Sequence, residues 1–182
     1  MLFDADLWKI PIVSDEANIN QVRVTTEIMK LDGQPFALKC GEVLPNLEIA
    51  YETWGTLNAD KSNAIMLTHA LSGSHHACGY NPELPEAGDL WKEELHQGWW
   101  DAFIGPGKAL DTDRFFIISA NYLGGCYGTT GPQSINPETG KAYGVAFPHL
   151  SVADQVEMQV RLLDSLGIDV LRDGIGPSVG GL

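Results

Sequence analysis

Gly176-Pro177-Ser178-Val179-Gly180 is the stretch on which the reading of the fold turns. A serine with glycine two positions before and two positions after fits a sharp strand-to-helix turn that lifts a hydroxyl above the end of a sheet. The flanking positions must be small, because the chain doubles back there with almost no room for a Cβ. Pro177 is compatible with this, since an extended residue entering the turn tolerates a fixed φ and a missing N–H. Such a turn needs a strand in front of it, and Ile168 to Ile175 is the expected one. Asp173 and Gly174 make it a poor buried strand, because both residue types are depleted in sheet interiors.

Working upstream, Val152 to Leu166 reads as an amphipathic helix. Val152, Val156, Gln159 or Val160, Leu163 and Leu166 fall on one 3.6-residue stripe, which predicts the core-facing side. Ser151 with Asp154 three residues later has capping-box spacing, and Gly167 is placed as a C-cap. Ala64 to Thr68 and Phe115 to Ser119 are short continuous apolar runs, suited to parallel strands covered on both faces. Val22, Val24, Thr26 and Ile28 alternate between Asn20 and Lys30, as do Leu47, Ile49, Tyr51 and Thr53 further on. These predict antiparallel N-terminal strands. The long segment from Leu71 to Arg114 is rich in Gly, Pro, His and Trp, and reads as loops with a short helix near Trp99 to Phe103. Residues 1–18 have no clear period and read as an N-terminal arm, leaving residues 19–182 as one partial domain.

Composition narrows the function classes. Against 24 Asp and Glu the 182-residue chain has only 11 Lys and Arg, a formal charge of −13. That excess repels nucleic-acid backbones and anionic lipid, so neither nucleic acid nor a membrane is an expected partner. No stretch approaches the roughly 20 apolar residues of a membrane-spanning helix. The N-terminus lacks the basic-then-apolar order of a secretory signal. Cys40, Cys78 and Cys126 are odd in number and widely spaced, which points to reduced thiols in the cytoplasm.

His69, His75, His76 and Cys78 lie within ten residues of one another. Their spacing is not that of paired zinc ligands and no second cluster follows, so no metal is expected. Gly124-Gly125-Cys126-Tyr127-Gly128 lacks the spacing of a phosphate-binding loop and reads as a structural loop at the mouth of a site. Cys126 has no basic neighbour in sequence to lower its pKa. Trp99 and Trp100 read as packing residues.

Six blocks carry a family likeness. They are Thr68-His69-Ala70-Leu71-Ser72-Gly73-Ser74-His75, Gly98-Trp99-Trp100-Asp101, Ile104-Gly105-Pro106-Gly107-Lys108, Leu110 to Phe116, Asn121 to Pro132 and Ser134 to Lys141. In this order, with the serine turn after them, they resemble homoserine O-acetyltransferase of methionine biosynthesis, a branch of the α/β-hydrolase superfamily. The fold class implied is α/β: antiparallel N-terminal strands leading into a parallel sheet. Pro177 departs from the family, which usually has glycine before the nucleophile.

The resemblance implies that Ser178 is the nucleophile, framed by Gly176 and Gly180. It would take an acetyl group from acetyl-CoA as acetyl-serine and pass it to the hydroxyl of L-homoserine, with no tightly bound cofactor. The oxyanion would be held by the backbone N–H groups of Val179 and Leu71, and His69 would support the loop that carries Leu71. His149 would sit ahead of a helix start. The Asp and His of the triad follow the serine in that superfamily. The resemblance therefore implies a front portion without its later strands, lid and triad partners, and a homodimer for the complete enzyme. Alternatives are an acyltransferase acting on serine or using succinyl-CoA, an ester hydrolase, and an inactive truncated remnant.

Overall fold

A computed structural model describes residues 22–181. The arm expected over residues 1–18 lies outside them. Among the described residues, nine strands and one α-helix run in the order β1 (Glu27–Lys30), β2 (Phe36–Ala37), β3 (Val43–Leu44), β4 (Glu48–Trp54), β5 (Ala64–Leu67), β6 (Phe116–Ala120), β7 (Ile135–Asn136), β8 (Lys141–Ala142), α1 (Val152–Leu166) and β9 (Asp173–Ile175). Five strands form the central sheet, in the order β1-β4-β6-β5-β9. β1 and β4 pair antiparallel, as do β4 and β6. β5 lies parallel to β6 on one side and to β9 on the other. β2 and β3, and β7 and β8, form two small hairpins outside the sheet.

The apolar runs behave as expected, since every residue of β5 is buried. The first alternating run does not. Val22 and Val24 bond to the backbone of Tyr80 rather than extending β1, which is only four residues long. Val22 is accordingly 74% exposed. Near Trp99 the chain makes hydrogen-bonded turns rather than a helix.

α1 spans the expected residues. Ser151 and Asp154 form the reciprocal capping box, and Gly167 ends the helix in the left-handed region at φ 68°. The Lys61 ammonium donates to the Leu166 and Gly167 carbonyls, placing a cation at the negative end of the helix dipole. The expected core stripe is rotated, however. Asp154, Met158 and Leu162 are the buried positions, while Val152, Val156 and Val160 are exposed. The buried Asp154 carboxylate explains the offset: besides capping the helix it accepts the Lys39 N–H at 2.8 Å, which holds this edge of the helix against the β2–β3 hairpin region.

α1 covers one face of the sheet, where Met158 and Leu162 join a cluster with Ile49, Tyr51, Met66, Ile118 and Ala120. Trp54, Ile65, Leu67 and Ile117 face the other way and pack under the Ala77, Ile104 and Leu110 loops.

Candidate active site

The strand before the serine is shorter than its sequence window. Only Asp173 to Ile175 pair with β5, and Asp173 and Gly174 are exposed. The interruption by Asp and Gly is tolerated because β9 lies at the edge of the described sheet, where few side-chain positions are enclosed.

Immediately beyond β9 the chain reverses. Ser178 has φ 54°, one of two non-glycine residues with positive φ among those described, and it opens a 3-10 turn over Ser178–Gly181. Left-handed backbone at a residue with a Cβ is strained, and persists only where the surroundings over-determine it. Here they do. The Thr68 N–H donates to the Ile175 carbonyl at 2.9 Å, the Thr68 hydroxyl donates to the Gly180 carbonyl, and Gly180 N–H donates to the Pro177 carbonyl at 3.0 Å.

Both flanking glycines are forced by contact. A Cβ on Gly176 would run into the Thr68 hydroxyl and the Gly180 carbonyl, and one on Gly180 into the carbonyls of Thr68 and His69. Pro177 fits because its carbonyl accepts a bond while its missing N–H is not called upon. The Ser178 side chain is exposed and has no hydrogen-bond partner among the described residues. A serine held this way at the C-terminal ends of parallel strands has the geometry of a nucleophile elbow.

The turn after β5 lies against this elbow. Ala70 to Gly73 close it through a Gly73 N–H to Ala70 carbonyl bond of 2.8 Å, with Leu71 at its tip and 81% exposed. Leu71 is thus no core residue. Neither its amide nor that of Val179 donates to another protein group among the described residues. His69 is buried behind the turn, and burial holds its imidazole below the ordinary histidine pKa.

The remaining histidines of the segment serve a different structure, one that sequence inspection missed. Glu52, fully buried on β4, accepts from Thr26 Oγ1 and Asn81 Nδ2 at 2.9 Å and from His76 Nδ1 at 2.8 Å. His76 reaches the His96 carbonyl through its other ring nitrogen at 2.9 Å. Both nitrogens of His76 face acceptors. His75 lies 3.8 Å from Glu52, and its Nε2 is 2.8 Å from the Thr26 hydroxyl. Burial alone would raise the Glu52 pKa, but the His76 hydrogen bond, the electrostatic pull of the two neighbouring imidazoles and the Asn81 hydrogen bond hold it below the ordinary carboxylate value. Burial pushes His75 down to about 4. The alternation of Leu47, Ile49, Tyr51 and Thr53 gave no signal for this network, since it put Glu52 on the opposite side of the strand, which the structure also buries.

His69 and His75 each engage one ring nitrogen in a hydrogen bond within the fold, and His76 engages both. Among the described residues no group of three or more His, Cys, Asp or Glu is placed to hold a metal. Cys78 donates toward Asp101 and the Ile104 carbonyl at 3.4 Å, and burial raises its thiol to about 12. Cys126 is exposed. The glycine loop around Cys126 lines a cavity of about 360 Å³ with Asn46, Glu48 and Glu86, and Ser178 is not part of that lining. Trp99 and Trp100 pack against the lower cluster as expected, with the Trp99 indole N–H donating to the Ser74 carbonyl at 2.9 Å. His149 is exposed just ahead of the Ser151 cap.

Sheet, crossing helix and elbow define an α/β-hydrolase fold, of which these residues are the N-terminal part. Solved structures agree. The chain matches a homoserine O-acetyltransferase from Bacillus anthracis at TM-score 0.73 and 36% identity, covering 88% of this chain and 41% of that one. It matches esterase E22 at TM-score 0.72 and 42% identity, covering 86% and 41%.

Among curated proteins it is 52% identical over 148 residues to a homoserine O-succinyltransferase of Litchfieldella anticariensis, covering 81% of this chain and 36% of that relative. No family model matches the chain. The chain therefore spans less than half the length of these relatives. Over the matched residues the likenesses support the homoserine acyltransferase family of the α/β-hydrolase fold.

Proposed function

We propose that this chain carries the nucleophile and the oxyanion-binding amides of an acyltransferase that moves a short acyl group from coenzyme A to the hydroxyl of L-homoserine. Ser178 is the attacking group. Its oxygen adds to the thioester carbonyl as its proton passes to a histidine base that the α/β-hydrolase order places after the serine. Coenzyme A leaves as the thiol with that proton, and the homoserine hydroxyl then attacks the acyl-serine, its proton returning to the serine oxygen through the same base. The amides of Leu71 and Val179 receive the negative charge that develops on the carbonyl oxygen. No resident cofactor or metal is needed for these steps, since coenzyme A is a substrate.

One observation carries this reading: a serine held at φ 54° between two glycines that have no room for a Cβ. Strain of that kind, clamped by Thr68 from the neighbouring strand, is the signature of a presented nucleophile.

The names of the relatives bear on the donor. Those about 50% identical are named for succinyl transfer, and the 36% identical structure for acetyl transfer. We therefore put succinyl-CoA beside the acetyl-CoA first expected. A succinyl donor carries an extra carboxylate, which in a chain of net charge −13 requires a locally cationic pocket wall. The complete enzyme is read as a cytoplasmic homodimer. The test is to incubate the full-length gene product with each acyl-CoA, with and without homoserine, and to map any acyl adduct by mass spectrometry. An adduct on Ser178 that is discharged by homoserine supports the reading. Turnover with the adduct elsewhere, or with no serine adduct in a quenched reaction, removes it. Discharge by water as fast as by homoserine favours an ester hydrolase, the activity named for esterase E22.

A further inference from the structure

The direction of the Leu71 amide is not left to the loop. Its N–H shares a planar trans peptide unit with the Ala70 carbonyl, so fixing the oxygen fixes the hydrogen on the opposite side. The Ala70 oxygen accepts two hydrogen bonds, from the Gly73 N–H at 2.8 Å and from His69 Nδ1 at 2.7 Å. A carbonyl can only accept, so the His69 proton sits on Nδ1. Nε2 is then a buried lone pair with no hydrogen bond of ordinary geometry, and the Asn121 side chain is the polar neighbour that interacts with the ring. An imidazolium would bury an N–H at that atom, and burial does hold the ring in its neutral form.

The ring is itself fixed. Tyr122, on the loop after β6, lies over it with ring centroids 3.9 Å apart, and the Tyr122 hydroxyl donates to the His69 carbonyl at 2.6 Å. That same carbonyl abuts the elbow, since a Cβ on Gly180 would approach it to 2.8 Å.

We propose that His69 is a positioning residue. Its Nδ1–H holds the Ala70–Leu71 peptide so that the Leu71 N–H faces the oxygen of the carbonyl attacked by Ser178, and Tyr122 locks the ring against the elbow. Donation into the Ala70 oxygen also polarises the peptide and strengthens the opposite N–H as a donor. The inference rests on the assignment of Ser178 and Leu71 made above.

The experiment compares His69→Asn with His69→Gln in the full-length gene product. An Asn amide nitrogen takes the place of Nδ1, whereas a Gln amide nitrogen takes the place of Nε2. His69→Gln is expected to lower kcat about 10- to 100-fold, somewhat less than removal of an oxyanion donor, with KM for the acceptor changed by less than about twofold. His69→Asn is expected to restore most of that loss at the same thermal midpoint. Equal kcat in the two variants, a loss that follows the thermal midpoint, or a change in KM alone overturns the proposal. If both variants fail to fold, Tyr122→Phe, which removes one oxygen, is expected to lower kcat about 3- to 10-fold at unchanged KM. An unaltered kcat in it overturns the proposal as well. Failure of the unsubstituted protein to acylate Ser178 overturns the assignment beneath it. Normal acylation of both the unsubstituted protein and His69→Gln overturns this inference alone.

Discussion

The two faces of the central sheet solve different problems. Under α1 the contact is made largely by Ile49, Met66, Ile118, Met158 and Leu162. Those groups ask only for volume and shape. On the opposite face, toward the strand ends that carry the elbow, the sheet buries Glu52 and Ser119, and the loop above it buries His69, His75 and His76. Buried polar groups are costly unless satisfied, and hydrogen bonds are directional. The apolar face therefore supplies cohesion, while the polar face fixes loops in one arrangement. Loops that hold reactive groups are found on the second kind of surface.

Substitutions on each face separate these roles. The largest effect is expected at the elbow. Ser178→Ala should reduce acyl transfer by at least about 10³-fold while leaving the urea midpoint nearly unchanged, and residual turnover near the starting rate would break the functional half of the comparison.

Next come single changes in the two cores. Glu52→Ala leaves His76 without its anion and should destabilise by about 3 to 5 kcal/mol, whereas Leu162→Ala should cost about 2 to 5 kcal/mol by leaving a cavity. Denaturant melts give both values. The distinction lies in activity: among molecules still folded, Glu52→Ala should lose turnover and Leu162→Ala should not.

Acid should act mainly through the polar face. Unfolded, His75 takes up a proton near its ordinary value of 6.5; folded, it resists until about 4. The unfolded state thus binds more protons across that window. Stability should fall as pH is lowered through it, by on the order of 3 kcal/mol for His75 alone. Burial lowers His69 as well, in the same sense. Glu52 has a depressed folded pKa, so its contribution is present above the ordinary carboxylate value and disappears as pH drops further. Urea midpoints from pH 7 to pH 4 measure this, and a flat profile would contradict the buried network.

The smallest effect belongs to the helix face. Asp154→Ala removes a cap and should cost about 1 to 2 kcal/mol, visible in the thermal midpoint, with kcat unaltered.

Where local chemistry suffices, the residues announced the structure. Ser151, Asp154 and Gly167 define both ends of α1 because capping involves groups only a few residues apart. The apolar runs of β5 and β6 declare strands covered on both faces. Gly176, Ser178 and Gly180 declare the elbow, because only glycine survives so close an approach of two backbones. The inward face of α1 was not legible: its valine stripe was the more apolar choice, and a hydrogen bond from Lys39, over a hundred residues away in sequence, turned Asp154 inward. The β1 boundary was misjudged for a similar reason, because Tyr80 captures the backbone of Val22 and Val24.

From its sequence alone, then, the chain settled which segments become strands and helix and where the backbone turns sharply on itself, since those outcomes depend on neighbours along the chain. Tertiary structure alone decided that Glu52 from one strand would meet Thr26 ahead of β1 and His76 and Asn81 from the segment between β5 and β6. It alone set His69 between Tyr122 and the Ala70 carbonyl. Hydrogen bonds across such separations obey distance and angle in space, and no periodicity or spacing in the sequence encodes them.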